Sequence, residues 1–117
     1  MMEIVRRGTT RRYSDSVMHG GTVYLVEVPA SFDADITEQT REVLASIERQ
    51  LAEIGSSKAR LLMCTIYLPD MADYAAMNKV WDAWLPEGCA PSRACVQAGL
   101  ANLGYKIEIV VTAACGI

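Results

Sequence analysis

The sequence predicts an α+β domain in the order β-β-β-α-β-α-β-β, with both helices packed on one face of a mixed sheet. Three features carry this. The stretch 35–54 has apolar residues at helical spacing between start and stop signals. The run 60–68 is apolar at almost every position and lies between that helix and a second helical segment. Segments 22–28, 92–98 and 106–113 are β-branched or alternating, with turn residues nearby.

Taken in order, an N-terminal strand falls near Glu3–Arg7, and Gly20-Gly21 reads as a hairpin-type turn leading into Thr22–Val28. In the first helix Ile36, Thr40, Val43, Leu44, Ile47, Leu51 and Ile54 share one face. Asp35 is placed to accept a first-turn amide, Glu38 follows as in a capping box, and Gly55 supplies the left-handed residue that ends a helix. Arg60–Leu68 suits a strand covered on both faces. A second helix runs from about Met71 to Trp84, started by Asp70 or Asp73 and stopped by Pro86 and Gly88, with Met77, Val80, Trp81 and Trp84 inward. Ser92–Ala98 and Lys106–Ala113 flank a Gly99–Tyr105 connection and are expected to pair antiparallel. No repeat or linker divides the chain, so residues 1–117 read as one domain.

Composition removes several classes of function. Eleven Lys+Arg against 14 Asp+Glu give a net charge of −3, and the pI is about 5.1. A nucleic-acid binder normally shows a basic stripe, so no nucleic-acid partner is expected. The longest apolar stretches, Leu61–Leu68 and Ile107–Ala114, fall far below the ~20 residues of a spanning helix. No membrane partner is expected, and without a signal-peptide pattern a cytoplasmic location is the default. Cys64, Cys89, Cys95 and Cys115 form no C-x-x-C pair, and His19 is the only histidine. No metal is expected from that set.

If both helices cover one sheet face, near-continuous apolar strands leave the other face bare. Self-association is the economical way to cover it.

Period-two alternation puts Arg93, Cys95 and Gln97 on one face of their strand, and Lys106, Glu108, Val110 and Thr112 on one face of theirs. Arg93 and Glu108 are charges inside strands that otherwise look buried or interfacial. They form a structural ion pair or reach solvent at an edge, or they build a small-anion site. In the latter, a strand-held guanidinium grips a carboxylate, Glu108 acts on a water and Cys95 lines the pocket. Covalent cysteine catalysis is disfavoured, because nothing resembling a base is arranged with Cys95.

Ala90-Pro-Ser-Arg-Ala-Cys-Val96 followed by Lys106-Ile-Glu-Ile109 resembles the C-terminal signature of the Rid family, the YjgF-like reactive-intermediate (imine) deaminases. The resemblance extends back through Asp73–Trp84 and the first helix to Arg12-Tyr-Ser-Asp15, and is most like the YoaB-like branch. It implies a chorismate-mutase-like fold and a homotrimer with a barrel-like core and clefts between subunits. It also implies hydrolysis of 2-imino or enamine acids to 2-oxo acids and ammonia, with no cofactor. Small 2-imino or 2-oxo carboxylic acids are the implied ligands.

Residue by residue, Arg93 matches the family's carboxylate-binding arginine and Glu108 the glutamate that positions the attacking water. Cys95 matches a pocket cysteine, Tyr13 the tyrosine that closes the cleft, and Asn78 a second-helix asparagine. One departure stands out. Where family members commonly carry a cleft glycine, this chain has Leu25-Val-Glu-Val-Pro29, with Val26 or Glu27 at that place. Glu27 there would narrow the pocket and repel a carboxylate, unless it points away from Tyr24, Val26 and Val28, as alternation suggests. The alternative to an enzyme is a non-enzymatic trimer that binds a small carboxylate or a protein. Chorismate mutase follows from fold analogy alone, and RNA cleavage is disfavoured by charge and the lack of a second histidine.

Overall fold

A computed structural model describes residues 2–116. Its elements are β1 (Val5–Arg7), β2 (Ser16–His19), β3 (Thr22–Glu27), α1 (Ile36–Glu53), β4 (Leu61–Leu68), α2 (Tyr74–Trp84), β5 (Ser92–Gln97) and β6 (Glu108–Ala114). The order is the one expected from the sequence.

Local chemistry sets the boundaries. Gly20 and Gly21 both have positive φ (60° and 83°), as a two-residue hairpin turn of this hand requires, and they join paired His19 and Thr22. Asp35 caps α1 by accepting from the Glu38 amide at 2.9 Å, which satisfies one of the orphan donors of the first turn. Asp70 caps a short 3-10 turn, Met71–Asp73, which leads into α2, so the second helix proper starts later than expected.

The six strands lie in the order β1-β2-β3-β6-β4-β5, all neighbours antiparallel except β4 and β5. The antiparallel pairing expected between the last two strands does not form. β5 runs parallel to β4 at the sheet edge, and β6 lies between β3 and β4. Polarity explains the sorting. β6 alternates Ile109, Val111 and Ala113 with Val110 and Thr112, which suits the centre of a sheet. β5 carries Ser92, Arg93 and Gln97, which suit an edge.

Both helices cover the same face. The core joins Val23 and Leu25 of β3, Cys64, Ile66 and Leu68 of β4, and Ile109, Val111 and Ala113 of β6 to Val43, Leu44, Ile47 and Leu51 of α1 and Met77 and Trp81 of α2. Each such large apolar side chain contributes about 1.5–3 kcal/mol on burial. In β4 a register shift between Leu61 and Met63 makes Leu62 the extra residue of a bulge. Alternation then resumes with Met63, Thr65 and Tyr67 facing away from the helices.

That other face is bare in the single chain. Tyr24, Val26, Met63 and Val96 are 50%, 48%, 52% and 44% exposed. The expectation that the strands leave an uncovered apolar face therefore holds. No helix of the described residues is long and apolar enough to cross a membrane.

Candidate active site

The sheet splits the expected site residues into two groups. Arg93 stands opposite Cys64 and Cys95 opposite Ile66 in the β4–β5 register. Both therefore project on the helix-covered face, at its edge. The Arg93 Cζ lies 5.1 Å from the centroid of the Trp81 ring, a cation–π distance. Arg93 takes part in no salt bridge among the described residues, so its planar donor fork is free for an anion. Asn78 precedes Trp81 by three positions on α2, on the same side of the helix. Its Oδ1 is buried and has no hydrogen-bond partner, an arrangement that is costly unless something satisfies it.

The thiols beside Arg93 are held protonated. Burial pushes Cys64 up to about 12, with the Arg93 charge opposing only in part. Burial also raises Cys95, again against Arg93. A thiol so shifted is a poor nucleophile at neutral pH.

The second group sits elsewhere. Glu108 opens β6 opposite Tyr67 and projects with Tyr67 on the bare face. It borders a cleft of about 470 Å³ lined by Tyr13, Ser14, Asp15, Val26, Glu27, Val28, Ala101 and Tyr105. Tyr13 is presented by a tight β1–β2 connection in which the Thr10 amide donates to the Tyr13 carbonyl at 2.7 Å and the Tyr13 amide to Thr10 Oγ1 at 3.2 Å. The cleft thus joins three acidic residues, Asp15, Glu27 and Glu108, to an aromatic and aliphatic wall.

Glu27 reaches the cleft edge, but its carboxylate turns the other way. Oε2 accepts from Ser46 Oγ at 2.6 Å and Gln50 Nε2 at 2.5 Å, both on α1. Strand alternation explains this, since Glu27 shares the helix face with Val23 and Leu25 while Tyr24 and Val26 face out. Of the two orientations the sequence left open, the carboxylate takes the one opposite to Tyr24 and Val26.

Arg93 and Glu108 do not converge within one chain. β4 lies between their strands, and through Tyr67 it is Val96, three residues beyond Arg93, that stands level with Glu108. The two charges also lie on opposite faces, so they form no internal ion pair.

Three residues near the site were given no functional role by the sequence reading. Tyr105 lines the Glu108 cleft, Trp81 supports Arg93, and Gln39 is a fully buried polar residue of α1. Gln39 did carry a signal, because it falls between Ile36 and Val43 at the spacing of the apolar stripe.

With the geometry in place, relatives sharpen the assignment. Residues 4–115 match the family described as endoribonuclease L-PSP. The chain belongs to the YjgF/RutC family. Its relatives in this YjgF/RutC family include the RutC family protein YoaB of Escherichia coli K12, 50% identical over 97% of this chain and 99% of the relative. The crystal structure of NMB1025 from Neisseria meningitidis, a YjgF family member, superposes with a TM-score of 0.95 at 49% identity, over 99% of this chain and 98% of that one. The 3-aminoacrylate deaminase RutC of Acinetobacter baylyi is 40% identical over 79 residues, 68% of this chain and 62% of the relative.

Proposed function

We propose that this protein is a homotrimer that hydrolyses small 2-imino or enamine acids to 2-oxo acids and ammonia. In this reading each cleft combines Arg93 and Cys95 of one protomer with Tyr13 and Glu108 of the next. The observation that carries it is the division of the expected site between two faces of the sheet. Arg93 has a free guanidinium at one edge, Glu108 lines a cleft on the bare face, and neither group is complete alone. A neighbouring protomer on the bare face would join them and cover the exposed apolar side chains. Similarity to the 3-aminoacrylate deaminase of Acinetobacter baylyi supports the reaction class. The four cysteines are all unpaired, which suits a cytoplasmic protein.

The chemistry asks little of the protein. Arg93 binds the substrate carboxylate with two parallel hydrogen bonds and so fixes the adjacent C2 carbon. A water held by Glu108 attacks C2 of the protonated imine, forming the C–O bond while Glu108 takes its proton. Glu108 then returns the proton to the amine nitrogen. The C2–N bond breaks as the hydroxyl oxygen forms the C2=O double bond and its proton passes to the departing ammonia. Ammonium and the 2-oxo acid leave, with Glu108 again a carboxylate. Cys95 stays a neutral pocket wall, and Asn78 Oδ1 is an acceptor for the substrate's or Arg93's N–H groups.

The test is release of ammonia and 2-oxo acid from freshly generated 2-iminopropanoate and 2-iminobutanoate, with wild type beside Arg93→Ala. Acceleration by wild type alone supports the reading. Carboxylate binding without ammonia release would replace it with the non-enzymatic binding trimer.

A further inference from the structure

Gln39 is fully buried, yet every polar atom of its side chain is engaged. Its Nε2 donates to the carbonyls of Ser31 at 3.0 Å and Gly104 at 2.9 Å, with a longer contact to Ala34 O at 3.4 Å. Its Oε1 accepts from the Lys106 amide at 2.8 Å. Lys106 Nζ also donates to Ala34 O at 3.0 Å.

One side chain on α1 thereby ties together two segments distant in sequence, 31–34 and 104–106. Aromatic packing reinforces the tie, with the Phe32 and Tyr105 rings 5.4 Å apart at 53°. Gly104 lets them approach, since a Cβ there would stand 2.7 Å from Phe32 Cβ. One end of this knot, the 104–106 segment, leads to the cleft. Tyr105 lines it, and Glu108 follows Lys106 by two residues.

An apolar side chain would fill position 39 and bury more carbon. A buried amide is tolerated only where each of its groups is paired, and here the partners are backbone groups of segment 31–34 and of the cleft-bordering segment 104–106. We propose that Gln39 is a positioning residue for the cleft, holding Tyr105 as the wall that receives the substrate's side chain and fixing the approach to Glu108. Larger apolar side chains depend on that wall more than a methyl does. The identity of the substrate rests on the deaminase reading, whereas the clamp does not.

The experiment compares wild type with Gln39→Met, which keeps the volume and removes the hydrogen bonds. Amide hydrogen exchange is expected to quicken at least about tenfold in 32–34 and 104–106 and to stay unchanged in β4. With 2-imino-4-methylpentanoate, kcat/KM is expected to fall at least about tenfold, mainly through KM, and with 2-iminopropanoate by less than about threefold. Unchanged exchange in the two segments, or an equal loss for both substrates, overturns the proposal.

If Gln39→Met does not fold, Gly104→Ala displaces the Phe32–Tyr105 pair without touching the helix. It must give the same split between substrates, and equal kinetics would overturn the proposal. If wild type hydrolyses neither imine, the deaminase reading fails and the clamp is still decided. Exchange is then read beside NMR titration with 2-oxopropanoate and 2-oxo-4-methylpentanoate. Selective weakening of the larger acid supports the clamp, and equal weakening or none overturns it.

Discussion

Arg93 and Glu108 stand on opposite faces of one sheet with β4 between their strands, so the proposed reaction requires a subunit boundary to bring them to one substrate. Two inactive variants should therefore rescue each other. Arg93→Ala and Glu108→Gln, unfolded and refolded together in equal amounts, are expected to recover about a quarter of wild-type activity, the share of boundaries in a cyclic trimer that pair the two intact residues. Each variant alone should be inactive. No recovery in confirmed mixed trimers would place both groups in a single-chain site or remove one of them from the reaction.

The same guanidinium sets a second expectation. Arg93→Lys keeps the charge but loses the planar fork, so kcat/KM should fall by about 10–100-fold, the worth of a charge-assisted bidentate contact. Activity within twofold of wild type would take Arg93 away from the carboxylate.

Support from Trp81 is separable from that contact. Trp81→Leu removes the aromatic surface beneath Arg93 and is expected to raise KM about 2–5-fold, matching a cation–π contribution of about 0.5–1 kcal/mol. Trp81→Phe, which keeps a ring, should restore most of the loss. Equal effects of both substitutions would mean that Trp81 matters only as core packing.

Glu27 offers the opposite expectation. Its carboxylate is held by Ser46 and Gln50 on the helix side, so Glu27→Gln should leave deamination within about twofold while lowering stability by roughly 1 kcal/mol. A large gain in activity would show that the carboxylate does face the substrate.

Cys64 ties stability to alkaline pH. Its thiol keeps a proton up to about 12 in the folded chain, against an ordinary 9.0. Above pH 9 the unfolded chain releases a proton that the folded chain retains, so stability falls as pH rises, by at most about 1.4 kcal/mol per unit from this group. Urea titrations between pH 8 and 10.5 should show a shallower decline for Cys64→Ala than for wild type, although the variant starts lower. Parallel curves would contradict the assignment.

The helices, the strand order along the chain and the bare face were legible because each follows from local signals. Asp35, Glu38 and the apolar stripe of α1 are near neighbours in sequence, and alternation in β6 separates Glu108 from Ile109 without outside help. Register between distant strands was not legible. Nothing near Ser92 or Ala98 states that β5 pairs with β4, and the sorting of β6 to the centre is a contest among strands for burial. That contest also decided the site. The family signature brought Arg93 and Glu108 together in sequence terms, but their separation in one chain follows from which strand lies between them. Gln39 was missed because its value lies in two loops whose meeting depends on the finished sheet.

The central position of β6 has a consequence for how the molecule is made. β3 and β4 are synthesised long before β6, yet they meet only through it. Until the chain has emerged through Ala114, the sheet consists of two halves with unpaired edges and a core lacking Ile109 and Val111. The decisive contacts are long-range ones, which slows closure of the sheet. During synthesis the middle strand of the sheet is therefore the last to become available, and a nascent chain that lacks it exposes unpaired strand edges to any chaperone or neighbour within reach.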